Sequence, residues 1–118
     1  VAAALLGGAA AAHAQQAADA AGAAASPPPD GARRQALVRI VRQDCGSCHG
    51  MRLTGGLGPA LTREAMAERP LDSMVATIYH GRPGTPMPGW KTMISEADAL
   101  WIAQQLAAGF PEEAKVAR

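Results

Sequence analysis

The chain has 118 residues and a formal net charge of +1, and 48% of it is apolar, yet it holds one Phe, one Tyr and two Trp. That is room for at most one ordinary domain, with alanine supplying much of the apolar fraction. Near-neutral charge and the lack of a basic run interleaved with aromatics exclude a nucleic-acid binder, and so few large side chains leave the core marginal unless another apolar body joins it.

Val1 to Ala12 is small and apolar, and Ala12-His13-Ala14 offers the small-x-small pattern of a signal peptidase site. Residues 1–14 are therefore expected to be the remnant of a secretory signal peptide, although no basic segment precedes them. A membrane span needs about 20 apolar residues, and polarity begins at His13, so membrane attachment is expected only if the signal stays uncleaved. Residues 15–29 are an Ala/Pro-rich flexible leader. Its closing Pro27-Pro28-Pro29 favours extended polyproline II and stops any helix before it.

The domain is expected over 30–110. Asp30 is a helix N-cap, and Leu37, Val38, Ile40 and Val41 recur at helical spacing up to about Asp44. Arg33, Arg34, Arg39 and Arg42 are expected on a solvated face. The helix delivers the chain into Cys45-Gly46-Ser47-Cys48-His49-Gly50, which contains both cysteines. C-x-x-C-H reads as c-type haem attachment: each thiol can add to a vinyl group, and His49 can supply an axial nitrogen to the iron. A zinc site would need four ligands, but no second Cys/His pair follows at finger spacing. A dithiol redox pair would sit near a βαβ pattern, which this chain lacks.

Thr54-Gly55-Gly56-Leu57-Gly58-Pro59-Ala60-Leu61 reads as a loop whose glycines let backbone approach a flat ligand. A carbonyl here, with Pro59 or a neighbour as candidate, can accept the second ring N–H of His49. Thr62 caps a short helix to about Glu68. Pro70 fits the first turn of a helix to about His80, with Leu71, Met74, Val75 and Ile78 as its apolar face and Gly81 as its end. Arg82-Pro83-Gly84-Thr85-Pro86-Met87-Pro88-Gly89-Trp90 is too rich in proline and glycine for periodic structure. It presents Met87 as a soft thioether ligand on a stiff loop. His80 is the competing ligand. Trp90 either donates to a haem propionate or walls the pocket. Ser95-Glu96-Ala97-Asp98 is a capping box opening a last helix to about Ala108. Residues 111–118 are expected to be a frayed tail.

No strand pattern or repeat appears, so the expected fold is all-α: three main helices, a short one, and loops wrapped around the haem. In the order and spacing of these motifs, residues 31–108 resemble a class I monohaem cytochrome c. The resemblance implies that Cys45 and Cys48 hold one haem c covalently, that His49 and Met87 are the axial ligands, and that the Pro59 carbonyl orients His49. The run from Gly81 to Trp90 is most similar to the cytochrome c55X family, which accompanies cd1-type nitrite reductase in denitrification. That resemblance implies a periplasmic electron carrier rather than an enzyme. Its partners would be the cd1-type reductase and an upstream quinol-linked donor, or it would be a helper in d1 haem maturation. Arg52, Arg82 and Lys91 are candidate rim charges for docking. Two departures from the class stand out: Val41 and Gln105 occupy places where an aromatic is usual, and Trp101 is the expected substitute where the first and last helices cross.

Overall fold

The structure, a computed structural model, describes residues 27–113. The expected signal segment, most of the leader (1–26) and the end of the tail (114–118) lie outside the described residues.

The Asp30 carboxylate accepts the Arg33 N–H at 2.8 Å and opens α1, Gly31–Ile40. The helical run does not stop at Asp44 as expected. It widens into one π-helical turn, Val41–Cys45, and continues as α2, Gly46–His49. Gly46 keeps right-handed helical angles, so the attachment motif lies on a helix rather than on a bend. After Gly50, Leu53 turns back into the core at 3% exposure with a left-handed φ of 60°. That conformation costs roughly 1–2 kcal/mol, which burying a leucine side chain, worth roughly 2 kcal/mol, offsets.

Thr62 caps the short α3, Arg63–Met66, accepting from the Ala65 N–H at 3.3 Å. This helix ends two residues earlier than expected. Pro70 stands at the N-cap of α4, Leu71–His80, one position outside its first turn. Ser95 and Asp98 bond reciprocally, at 3.0 and 3.1 Å, to open α5, Glu96–Ala108, as the capping box predicts. Helix α5 packs against α4 and α3. Its Ala99 and Ala103 are completely buried in the same core as Leu37, Val41, Met66, Met74, Ile102 and Leu106. Small residues at these positions let α3 and α4 approach α5 closely.

Two of the arginines assigned to a solvated face are not on one. Arg33 bonds the Asp98 carboxylate at 2.7 Å and the Met93 carbonyl at 3.2 Å, joining the start of α1 to the start of α5. Burial alone would raise the Asp98 carboxyl, but the Arg33 bond and the Ser95 N–H outweigh it and hold it below the usual carboxylate range. Arg42 is 9% exposed and holds the carbonyls of Phe110 and Pro111. The described part of the expected tail thus begins with Pro111 tied to the π turn. At the other end Pro28 and Pro29 line a hollow with Leu100, Trp101 and Gln104 of α5. Among the described residues there is no strand, and no helix is long and apolar enough to cross a membrane.

Candidate functional site

His49 closes α2 at 9% exposure, and its Nδ1 lies 2.7 Å from the Pro59 carbonyl. A carbonyl only accepts, so Nδ1 carries a proton, and in the neutral imidazole the lone pair is on Nε2. No buried side-chain polar atom among the described residues lacks a partner, so Nε2, which has none from the protein, opens to accessible space. The loop that carries Pro59 is tied to the motif's own backbone. Gly55 N–H donates to the His49 carbonyl and Gly58 N–H to the Cys48 carbonyl, both at 2.8 Å. Gly58 lies so close to the imidazole that a Cβ there would sit 2.6 Å from Cε1 and 2.7 Å from Nδ1. The expected close approach of glycine is real, and its target is the histidine ring.

Cys45 is half-buried, Cys48 is exposed, and both are free thiols. Burial, followed by the charge of Asp44, pushes the Cys45 thiol up to about 11. Disulfide exchange runs through a thiolate, so this environment suits a dithiol redox pair poorly. Among the described residues no group of three or more His, Cys, Asp or Glu side chains could hold a metal ion, and the zinc reading loses its ligand set.

The second loop, 82–90, folds back on the end of α4. Trp90 N–H donates to the Ile78 carbonyl at 3.1 Å and Lys91 N–H to the Tyr79 carbonyl at 3.2 Å. At Gly81, φ is 78°, and a Cβ would lie 2.6 Å from the Gly89 nitrogen, so only glycine lets the loop close here. Met87 is half-buried, with its N–H 3.3 Å from the Thr85 hydroxyl. His80 is exposed, its ring edge-on to Tyr79 at 4.9 Å. Ile40, Leu61, Val75, Ile78, Tyr79 and Trp90 pack on the core yet remain only partly covered. An oriented imidazole nitrogen, a thioether on a stiff loop and incompletely covered apolar walls together fit a flat apolar ring carrying iron.

One feature escaped the sequence reading. Arg42 and Phe110 form a contact between the π turn and the segment after α5, with the guanidinium 5.6 Å from the ring centroid. Phe110 also meets Trp101 edge-on at 6.4 Å. A signal was present: Arg42 lies four residues after Val38, on the buried stripe, and Phe110 is the chain's one phenylalanine.

A family model described as cytochrome c oxidase, cbb3-type, subunit III matches residues 32–105. The cytochrome c55X of Stutzerimonas stutzeri is 57% identical over 82 residues, covering 69% of this chain and 73% of that protein. The chain belongs to the cytochrome c55X family. The solved structure of the c-type cytochrome NirC is 54% identical, with a TM-score of 0.67 over 68% of this chain and 94% of that one. The all-α, small cytochrome c fold is therefore as expected, and membership of the family implies haem c. A dihydro-heme d1 dehydrogenase, NirN, matches with a TM-score of 0.53 at 34% identity, over 65% of this chain and 17% of that one.

Proposed function

We propose that this protein is a periplasmic one-electron carrier that donates to a cd1-type nitrite reductase in denitrification and is itself reduced by a quinol-linked donor. The observation that carries the reading is the His49–Pro59 bond, which orients the ring at the end of the C-x-x-C-H helix and leaves Nε2 as the nitrogen available to a ligand. Bound haem c would supply a reversible one-electron iron couple. In this reading Cys45 and Cys48 hold it by thioether bonds, and His49 and Met87 are the axial ligands. The Pro59 carbonyl fixes the tautomer and the orientation of His49. Met87, as a soft ligand, favours the reduced state relative to a second histidine. Trp90 either bonds a propionate or walls the pocket.

The charge distribution supports an acidic partner. Residues 46–62 and 81–95 contain no Asp or Glu, and their charges are Arg52, Arg82 and Lys91, all exposed. Both loops that carry proposed ligands are thus cationic, although the whole chain is only +1. Export is supported by the Ala12-His13-Ala14 pattern. Stopped-flow mixing of the reduced holoprotein with purified cd1-type nitrite reductase should show electron transfer that slows as salt is added. A rate no faster than that of an unrelated cytochrome of similar potential would remove the donor role.

The similarity to part of a dihydro-heme d1 dehydrogenase favours a second reading, an accessory in d1 haem biosynthesis or delivery. Stoichiometric binding of d1 haem by the purified holoprotein, with transfer to the apo-reductase, would select it.

A further inference from the structure

The π turn Val41–Cys45 lies immediately ahead of the second cysteine-bearing turn and contains Cys45 itself. Gly46 N–H reaches back five residues to the Val41 carbonyl, which widens the turn. Each α-helical residue advances the azimuth by about 100°. The extra residue in the widened turn therefore sets which way Cys45 points relative to the buried stripe of α1. Single π turns are uncommon and occur often at functional sites. Something must hold this one in place of an ordinary α turn.

Val41 packs in the core, and Arg42 is the one residue of the turn whose side chain hydrogen-bonds a distant part of the chain. Its Nη2 donates to the Phe110 and Pro111 carbonyls at 2.9 Å each, and its Nε donates to Pro111 at 3.1 Å. The guanidinium also faces the Phe110 ring. The pairing with Glu112 is an outer contact, because that carboxylate is 90% exposed. A planar fork meeting two successive carbonyls is a geometry that arginine makes and lysine does not.

We propose that Arg42 is a positioning residue for haem attachment: by clamping the Phe110–Pro111 carbonyls it holds the π turn and so aims Cys45. The segment after α5 then belongs to the haem site, and the clamp takes over the role of the missing aromatic pair at the crossing of the first and last helices. This inference rests on the haem reading of Cys45 and Cys48.

The test compares Arg42→Lys, Arg42→Met and Glu112→Gln with wild type, all expressed with the haem-attachment machinery. The pyridine haemochrome spectrum counts thioether bonds per haem, and reduction potential and thermal unfolding are measured alongside. Arg42→Met should lower the doubly attached fraction relative to singly attached or haem-free chain by about tenfold, the scale of losing charge-assisted bonds to buried carbonyls. Arg42→Lys should fold, restore part of the attachment, and differ from wild type in potential. Glu112→Gln should match wild type in all three. If Arg42→Lys and Arg42→Met unfold at lower temperature but keep two thioether bonds and the wild-type potential, Arg42 is a staple only and the proposal is overturned. Should Arg42→Met not accumulate, a wild-type spectrum and potential in Arg42→Lys overturn it equally. A wild-type protein without covalent haem would instead sink the haem reading itself.

Discussion

The two loops that carry the proposed iron ligands are built differently. The loop around Pro59 is bonded to the backbone of Cys48, His49 and Gly50 at 2.7–2.8 Å and presses a glycine onto the imidazole. The loop around Met87 runs straight out of α4 and is tied back to it only at its far end, by the Trp90 and Lys91 N–H bonds of 3.1–3.2 Å, and most of its residues are exposed. Met87 itself is held by bonds within the same loop: its N–H donates to the Thr85 hydroxyl at 3.3 Å and its carbonyl accepts the Arg82 N–H at 3.2 Å. One ligand is held by the fold from both sides, and the other hangs on a stiff span fixed at its feet. The histidine side should therefore behave as a permanent part of the structure, with the methionine side as the place where ligation can change.

The largest expected effect breaks the methionine side alone. In Met87→Ala the weak red charge-transfer band of thioether–ferric iron ligation should vanish, and the reduced protein should bind carbon monoxide, while helical circular dichroism is retained. A wild-type protein that already lacks the band and takes up carbon monoxide would contradict His/Met ligation. The next effect probes the unequal tightness of the loops. Gly58→Ala must displace either the ring or the loop and should cost about 1–3 kcal/mol in denaturant unfolding, the usual range for overpacking. Gly84→Ala, at φ 79° but with open space around it, should cost only the left-handed backbone penalty of about 1–2 kcal/mol, at the low end of that range. If Gly84→Ala proves the costlier, the histidine loop is not the tighter one.

The smallest effect lies away from both loops, at Asp98. Its carboxyl is held below the usual value in the folded protein by Arg33 and Ser95 against the pull of burial. The stability it confers is complete above the ordinary Asp value of about 4 and is lost as pH falls through the lowered folded value. Asp98→Asn should therefore cost about 1–2 kcal/mol at pH 7, and the gap to wild type should narrow as the pH falls below the ordinary Asp value of about 4. A gap unchanged in acid would mean that packing, not charge, does the work there.

Much of this molecule is written locally. Asp30, Thr62, Gly81 and the Ser95–Asp98 box mark helix ends through contacts within three or four residues, which a linear sequence displays. The C-x-x-C-H motif and the proline-rich loop are legible for the same reason, whereas the glycine loop pointed only to Pro59 or a neighbour, and it took the resemblance to name Pro59. The sequence by itself therefore determined the helix order, the candidate ligands and the family. It could not determine the fates of Arg33 and Arg42. Whether an arginine meets water or a carboxylate and carbonyls 65 to 69 positions away depends on how α1 crosses the end of the chain. Nor could it show the π turn, because a helix widened by one residue keeps the same amino acids and the same short-range preferences. Only the tertiary structure brings Val41 into the core with Ala99, Ile102 and Leu106 and Arg42 onto the Phe110 and Pro111 carbonyls, because those partners lie far off in the sequence.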